Sequence, residues 1–182
     1  MDDDFSAPLT RSQISKLLRG PKPLHLANFN FEGAHLSKID FTRADLFAAN
    51  FLDATLNEAD FRHANLQHVE FGRADLSDAQ FSGVNLTSAS FVRAKLHRAN
   101  LSETRASADY AFADLSDANF YKASLQGSDF QHCILRNVNF READLNNVNF
   151  FLADLSGADL RGAIVDANQL KNASSLQDTL LP

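Results

Sequence analysis

The sequence of 182 residues predicts an all-β solenoid, a chain wound into stacked coils with a short helical cap at each end. Three observations carry that expectation. From residue 31 to 101, and again from 110 to 170, every fifth residue is a large apolar centre. Of these 28 centres, 26 are Phe or Leu, and the others are Tyr110 and Val165. Two places before each centre stands a small slot, which is Ala at 19 of the 28 positions.

A period of five suits neither regular element. In a helix, five residues advance a side chain by roughly 500°, so successive centres would fan around the axis. In a straight strand, odd spacing throws them to alternate faces. All centres stay inside only if the chain turns a corner once per unit. The centre and the small residue before it then point inward, and the other three residues make the solvated corner. The centres also alternate, Phe31, Leu36, Phe41, Leu46, without error to Leu96. That period of ten lets Phe stack on Phe and Leu on Leu, and it permits either two or four sides per coil.

The elements follow in order. In the N-terminal segment 1–26, Thr10 and Gln13 form a capping box, Ile14, Leu17 and Leu18 share one helical face, and Gly20-Pro21 ends the helix. The repeat body spans 27–165. It has one register break near 102–110, where nine residues separate Leu101 from Tyr110 instead of ten. One unit around Ala106–Ala108 is a residue short, and a single continuous rod is expected through it. In the C-terminal segment 166–182, Asp166 caps a short helix through Leu170 and Lys171. Leu176, Leu180 and Leu181 are expected to cover the last coil, because an open sheet edge aggregates unless protected.

The unit A-[D/N]-[L/F]-x-x, as in "ADLFA" at 44–48, "ADFRH" at 59–63 and "ADLSD" at 74–78, resembles the pentapeptide-repeat family across about residues 27–170. The resemblance implies a right-handed quadrilateral β-helix with four units per coil. About seven coils at ~4.8 Å would give a rod on the order of 34 Å long.

Composition sets limits on chemistry. The net charge of −6 argues against direct nucleic-acid binding, and the single cysteine, Cys133, forbids an internal disulfide. No stretch approaches the ~20 apolar residues of a membrane span. The start, "MDDDFSAPLTRS", lacks a signal-peptide core, so a cytoplasmic location is expected. The six histidines fall in no metal-ligand spacing. Asp recurs because the unit places Asp or Asn before the centre, where a short polar side chain can bond the turn backbone. Such carboxylates are poor candidates for an acid–base pair. Cys133 falls in the small inward slot and reads as a buried thiol. No enzyme, cofactor or metal site is expected.

The surface is the remaining source of function. Threaded on four faces, the chain gives no strongly acidic stripe, and Asp53, Arg73 and Arg93 should form a ladder on the face of Phe31. Apolar residues fall at outward positions of that same face: Leu52, Val92, Phe112, Phe151 and Leu152. Phe112, His132 and Leu152 should stack on consecutive coils, while Phe47 and Ile134 lie elsewhere. This patch is a candidate interface for an unidentified protein partner or for a homodimer. The expected function is a non-catalytic, rigid protein–protein interaction scaffold. The family resemblance implies an alternative, a DNA mimic that binds DNA gyrase and protects it from fluoroquinolone-like inhibitors.

Overall fold

The computed structural model describes residues 7–182. Residues 1–6, the acidic beginning of the N-terminal segment, lie outside the described residues. The repeat body pairs with itself through single parallel bridges twenty residues apart: His25 with Asp45, Asp45 with Asn65, Asn65 with Asn85, Asn85 with Arg105. Twenty residues of five-residue units make four sides per coil, which settles the choice the period of ten left open. The ladder starts at His25, two residues before the expected edge of the repeat body.

One unit shows why the sequence takes this shape. The amide of Phe41 donates to Asp60 O in the next coil at 2.8 Å, and that of Arg43 to Arg62 O at 3.1 Å. The Asp45 amide reaches back to Leu24 O at 2.8 Å, and the Ala44 amide closes the corner on Phe41 O at 3.0 Å. The fifth amide, of Thr42, donates to the Asp40 carboxylate at 2.9 Å. Every N–H of the unit is thus satisfied, and the Asp or Asn before the centre supplies the one acceptor the backbone cannot. The same bond recurs at Leu52 to Asn50, Ser77 to Asp75 and Ser116 to Asp114.

From Leu26 to Leu160 the corner puts a left-handed residue two places after each Phe, Leu or Tyr centre. Among the described residues, 23 left-handed positions are not glycine, among them Arg43 at φ 59°, Phe112 at φ 62° and Leu152 at φ 55°. An L-residue there is disfavoured by about 1–2 kcal/mol. The amide of that residue also holds a rung of the ladder, as at Arg43, and this pins the conformation from outside the turn.

The interior is one continuous apolar column. Phenylalanines stack along two opposite faces, Phe31 on Phe51 at 4.9 Å and Phe41 on Phe61 at 5.2 Å. The two stacks meet edge to face, as at Phe41 and Phe51, 5.8 Å and 71° apart. Each such contact adds about 0.5–1.5 kcal/mol beyond burial.

One irregularity interrupts the ladder. The rung spacing falls to nineteen from Ser90–Asp109 through Arg105–Ser124 and returns to twenty at Asp109–Asp129. The shortened unit is centred on Ala106, and its corner is reduced to Ser107. The buried Ser128 hydroxyl repairs the gap by accepting from the Ala108 amide at 3.3 Å and donating to Ala106 O at 3.0 Å. A side chain from the next coil replaces the missing corner bond.

At the N-terminal end, α1 (Arg11–Leu18) carries the Thr10–Gln13 capping box. Its Ile14 is buried in the same cluster as Leu24 and Leu26, with Leu17 and Leu18 half-buried against it. At the other end, Asp166 caps α2 (Ala167–Leu170), whose Leu170 is buried in the apolar cluster. The tail then departs from expectation. Ser175 bridges Asp154 and Leu180 bridges Asp159, so the chain rejoins the ladder after α2. Leu176, Leu180 and Leu181 stay 40%, 47% and 55% exposed because they belong to the last coil and do not lie across it.

Candidate interaction surface

The Phe31 face is formed by the units of Phe31, Phe51, Phe71, Phe91, Tyr110, Phe130 and Phe150. One column of its outward residues lies one place after each centre: Leu52, Gly72, Val92, Ala111, Gln131, Phe151. The second lies two places after: Asp53, Arg73, Arg93, Phe112, His132, Leu152. The repeat fixes both columns by stacking each unit on the one about twenty residues later.

The structure brings four of the six candidate residues together. The Phe112 ring lies flat on His132 at 4.8 Å and 6°, and Phe151 meets His132 edge-on at 5.8 Å. Leu152 adjoins Phe151 in sequence. Phe112, Phe151 and Leu152 are 48%, 47% and 43% exposed. Leu52 and Val92 are half-buried and stand apart from the aromatic group. Leu52 lies over Gly72, where an added Cβ would sit 2.8 Å from Leu52 Cδ1. Leu52 therefore packs into the space left by a glycine.

The expected three-member ladder is shorter than the sequence suggests. Arg73 forks onto Asp53 at 2.7 and 2.6 Å. The Arg73 guanidinium holds the Asp53 carboxyl below its ordinary value. Arg93 leaves this series and places its guanidinium 5.7 Å from the centre of the Phe112 ring. Arg93 thereby joins the patch, a residue sequence reasoning assigned to a charge ladder. The stacking geometry of the next coil is the signal that could have found it.

Beneath the patch lies Cys133, whose thiol donates to Tyr110 O at 2.8 Å. Burial pushes the thiol up to about 12, so it is not a nucleophile at neutral pH. Tyr110 is fully buried in the Phe stack, and burial raises its hydroxyl far above the ordinary range. Of the other outward apolar residues, Phe47 meets His68 edge-on at 5.3 Å, and Ile134 is 39% exposed around the corner from His132. Among the described residues, no three His, Cys, Asp or Glu side chains converge as metal ligands, and no helix is long and apolar enough to cross a membrane. The arrangement offers a flat aromatic surface with one cation stacked on it.

Comparison with known proteins identifies the repeat. A family model for the pentapeptide repeat region matches residues 24–101, and one for pentapeptide repeats matches 106–137, 113–151 and 133–166. No curated protein sequence matches. Among solved structures, HetL from the cyanobacterium Nostoc is similar at 28% identity and TM-score 0.62, over 86% of this chain and 73% of that one. HetL is described as a pentapeptide repeat protein involved in heterocyst differentiation regulation. QnrB1, a plasmid-mediated fluoroquinolone resistance protein, matches at 17% identity and TM-score 0.48, over 86% and 84% of the two chains. These neighbours are right-handed quadrilateral β-helices. With its repeat matched on both sides of the break, the chain belongs to the pentapeptide-repeat family.

Proposed function

We propose that this protein is a non-catalytic scaffold that presents the Phe31 face to a protein partner. One observation carries the reading. Phe112 and Leu152 occupy left-handed corner positions, at φ 62° and 55°, and remain 48% and 43% exposed. A bulky apolar residue gains little there from the fold, since the corner favours Gly or Asn and water meets about half of the side chain. Phe112, His132 and Phe151 form a preorganised aromatic stack, which lowers the entropy cost of binding. The likeness to HetL, a protein of regulation, supports a partner-binding role over a catalytic one.

The gyrase reading calls for a DNA-like run of negative charge. On this rod Arg73, Arg62, Arg98 and Arg161 pair with Asp53, Asp60, Asp78 and Asp159, and no observation favours that alternative. The test is affinity capture from the native host with the wild type and with the double variant Phe112→Asp/Phe151→Asp, beside the mass of each in solution. A protein captured by the wild type and lost by the variant is the expected result. If the wild type alone self-associates, the partner is a second copy. An identical captured set and identical mass would overturn the assignment.

A further inference from the structure

Residues two places after the centres stack in columns, and neighbouring charges in those columns usually alternate in sign. Lys38 meets Glu58 at 3.3 Å, Asp53 meets Arg73 at 2.6 Å, Asp78 meets Arg98 at 2.6 Å and Lys122 meets Glu142 at 3.6 Å. The N-terminal end of the Phe41 face breaks this rule. Arg43 stands over His63, and below them Gly83 has nothing within 4 Å of its added Cβ. Arg43 has no ion pair or ring contact among the described residues. Where arginines neighbour each other elsewhere, both have partners: Arg73 has Asp53 and Arg93 has the Phe112 ring.

Arg43 and His63 line a cleft of about 490 Å³ with Lys22, Asp40 and Arg62. Lys22 donates to the Asp40 carboxylate at 3.2 Å. Arg62 uses Nε and Nη2 on Asp60, at 3.0 and 2.6 Å, which leaves Nη1 free. Three permanent cations thus line the cleft against one carboxylate in its lining, Asp40, and one behind Arg62, Asp60, a local positive excess of one on a chain of net charge −6.

We propose that this cleft binds a phosphate-type oxyanion, with Arg43 and His63 in direct contact and Lys22 and Arg62 flanking it. A tetrahedral oxyanion can engage donors from two rungs of a ladder about 4.8 Å apart, whereas a planar carboxylate satisfies one guanidinium fork. The Phe41 face lies opposite the Phe31 face, so this site is independent of the partner patch.

The probe is inorganic phosphate, titrated into the ¹⁵N-labelled protein at constant ionic strength with sodium chloride. Saturable shifts are expected at Thr42, Arg43, Arg62 and His63. Arg43→Ala should weaken the affinity at least tenfold, and Arg136→Ala, which removes a partner of Asp154 on another face, should leave it unchanged. Ala48 already occupies the same corner position at φ 53°, so alanine is tolerated by the turn. His63→Gln provides a second variant with an expected loss of several-fold. Phenyl phosphate in place of inorganic phosphate separates the sources: tighter binding assigns the site to a covalently attached phosphate, equal or weaker binding to the free anion. Shifts reproduced by acetate, or unaltered by Arg43→Ala, would overturn the proposal.

Discussion

Residues 31–101 and residues 101–133 are built on the same unit and differ by one missing residue. In the first region the interior repeats without exception: Phe and Leu centres, with Ala or Val in most small slots. In the second, Ala106 stands where a Leu or Phe belongs, Tyr110 replaces a Phe, and Thr104, Ser128 and Cys133 occupy small slots. Apart from Asn30, the buried polar side chains Thr104 and Ser128 both lie in this second region. The difference teaches that the interior of the regular run is held by apolar packing, while the shortened coil is also spliced by buried side-chain hydrogen bonds. Thr104 ties back to Leu101 O at 2.8 Å, and Ser128 joins Ala106 to Ala108.

The sharpest way to break the regular half is Phe71→Ala. Phe71 stacks on Phe51 and Phe91 at 5.1 and 5.2 Å and meets Phe61 and Phe81 edge-on. Its loss should cost about 3–5 kcal/mol, read from the urea midpoint. In the shortened coil the comparable effect comes from a much smaller change. Ser128→Ala restores the preferred slot residue yet strands the Ala108 amide and the Ala106 carbonyl. A cost of about 1–3 kcal/mol is expected, and a neutral result would show that the coil closes without its splice.

Two substitutions should act in the other direction. Tyr110 Oη is buried with no protein hydrogen-bond partner among the described residues. Tyr110→Phe should therefore raise stability by about 1 kcal/mol, and a fall would reveal a partner for the hydroxyl. Phe112→Gly relieves the left-handed corner beside the break and should add up to about 1 kcal/mol while abolishing partner capture. That opposition between stability and binding is what a display residue predicts and a structural residue does not.

The smallest effect concerns pH. Arg73, Arg98 and Arg161 hold Asp53, Asp78 and Asp159 below the ordinary carboxylate value of 3.8. A depressed folded value means the stabilisation is present above pH ~4 and lost as pH falls through the folded values. The arginines of these pairs are exposed and the carboxylates at least partly so, so the loss is minor and shrinks with salt. Urea midpoints at pH 3 and pH 7, each in low and high salt, measure it.

Much of the fold was legible because each unit states its own instructions. The centre names the interior, the small slot allows close approach, and the Asp or Asn before the centre accepts the spare amide, as at Thr42. The break was legible as a count, but its repair was not, because Ser128 reaches the gap only through the next coil. The left-handed corner residues are not legible, because Arg, His, Phe and Leu there carry no turn signal. The place of the tail is hidden for a related reason: Leu176 and Leu181 have the composition of covering residues, yet they fall on the coil's own register once α2 has been inserted. On the candidate surface, threading places Phe112, His132, Phe151 and Leu152 on one face. It could not foresee that Arg93 would turn to a ring, or that Leu52 would fold over Gly72.

By itself, the sequence determined that the chain corners every five residues, with Phe and Leu inside and Asp or Asn at the turns. Those features depend on residues within one unit, where spacing is chemistry. Four sides per coil, the splice at Ser128 and the neighbours of Phe112 and Arg43 were decided only by the tertiary structure. Each arises from contact between residues about twenty positions apart, and a local pattern does not specify what lies one coil away.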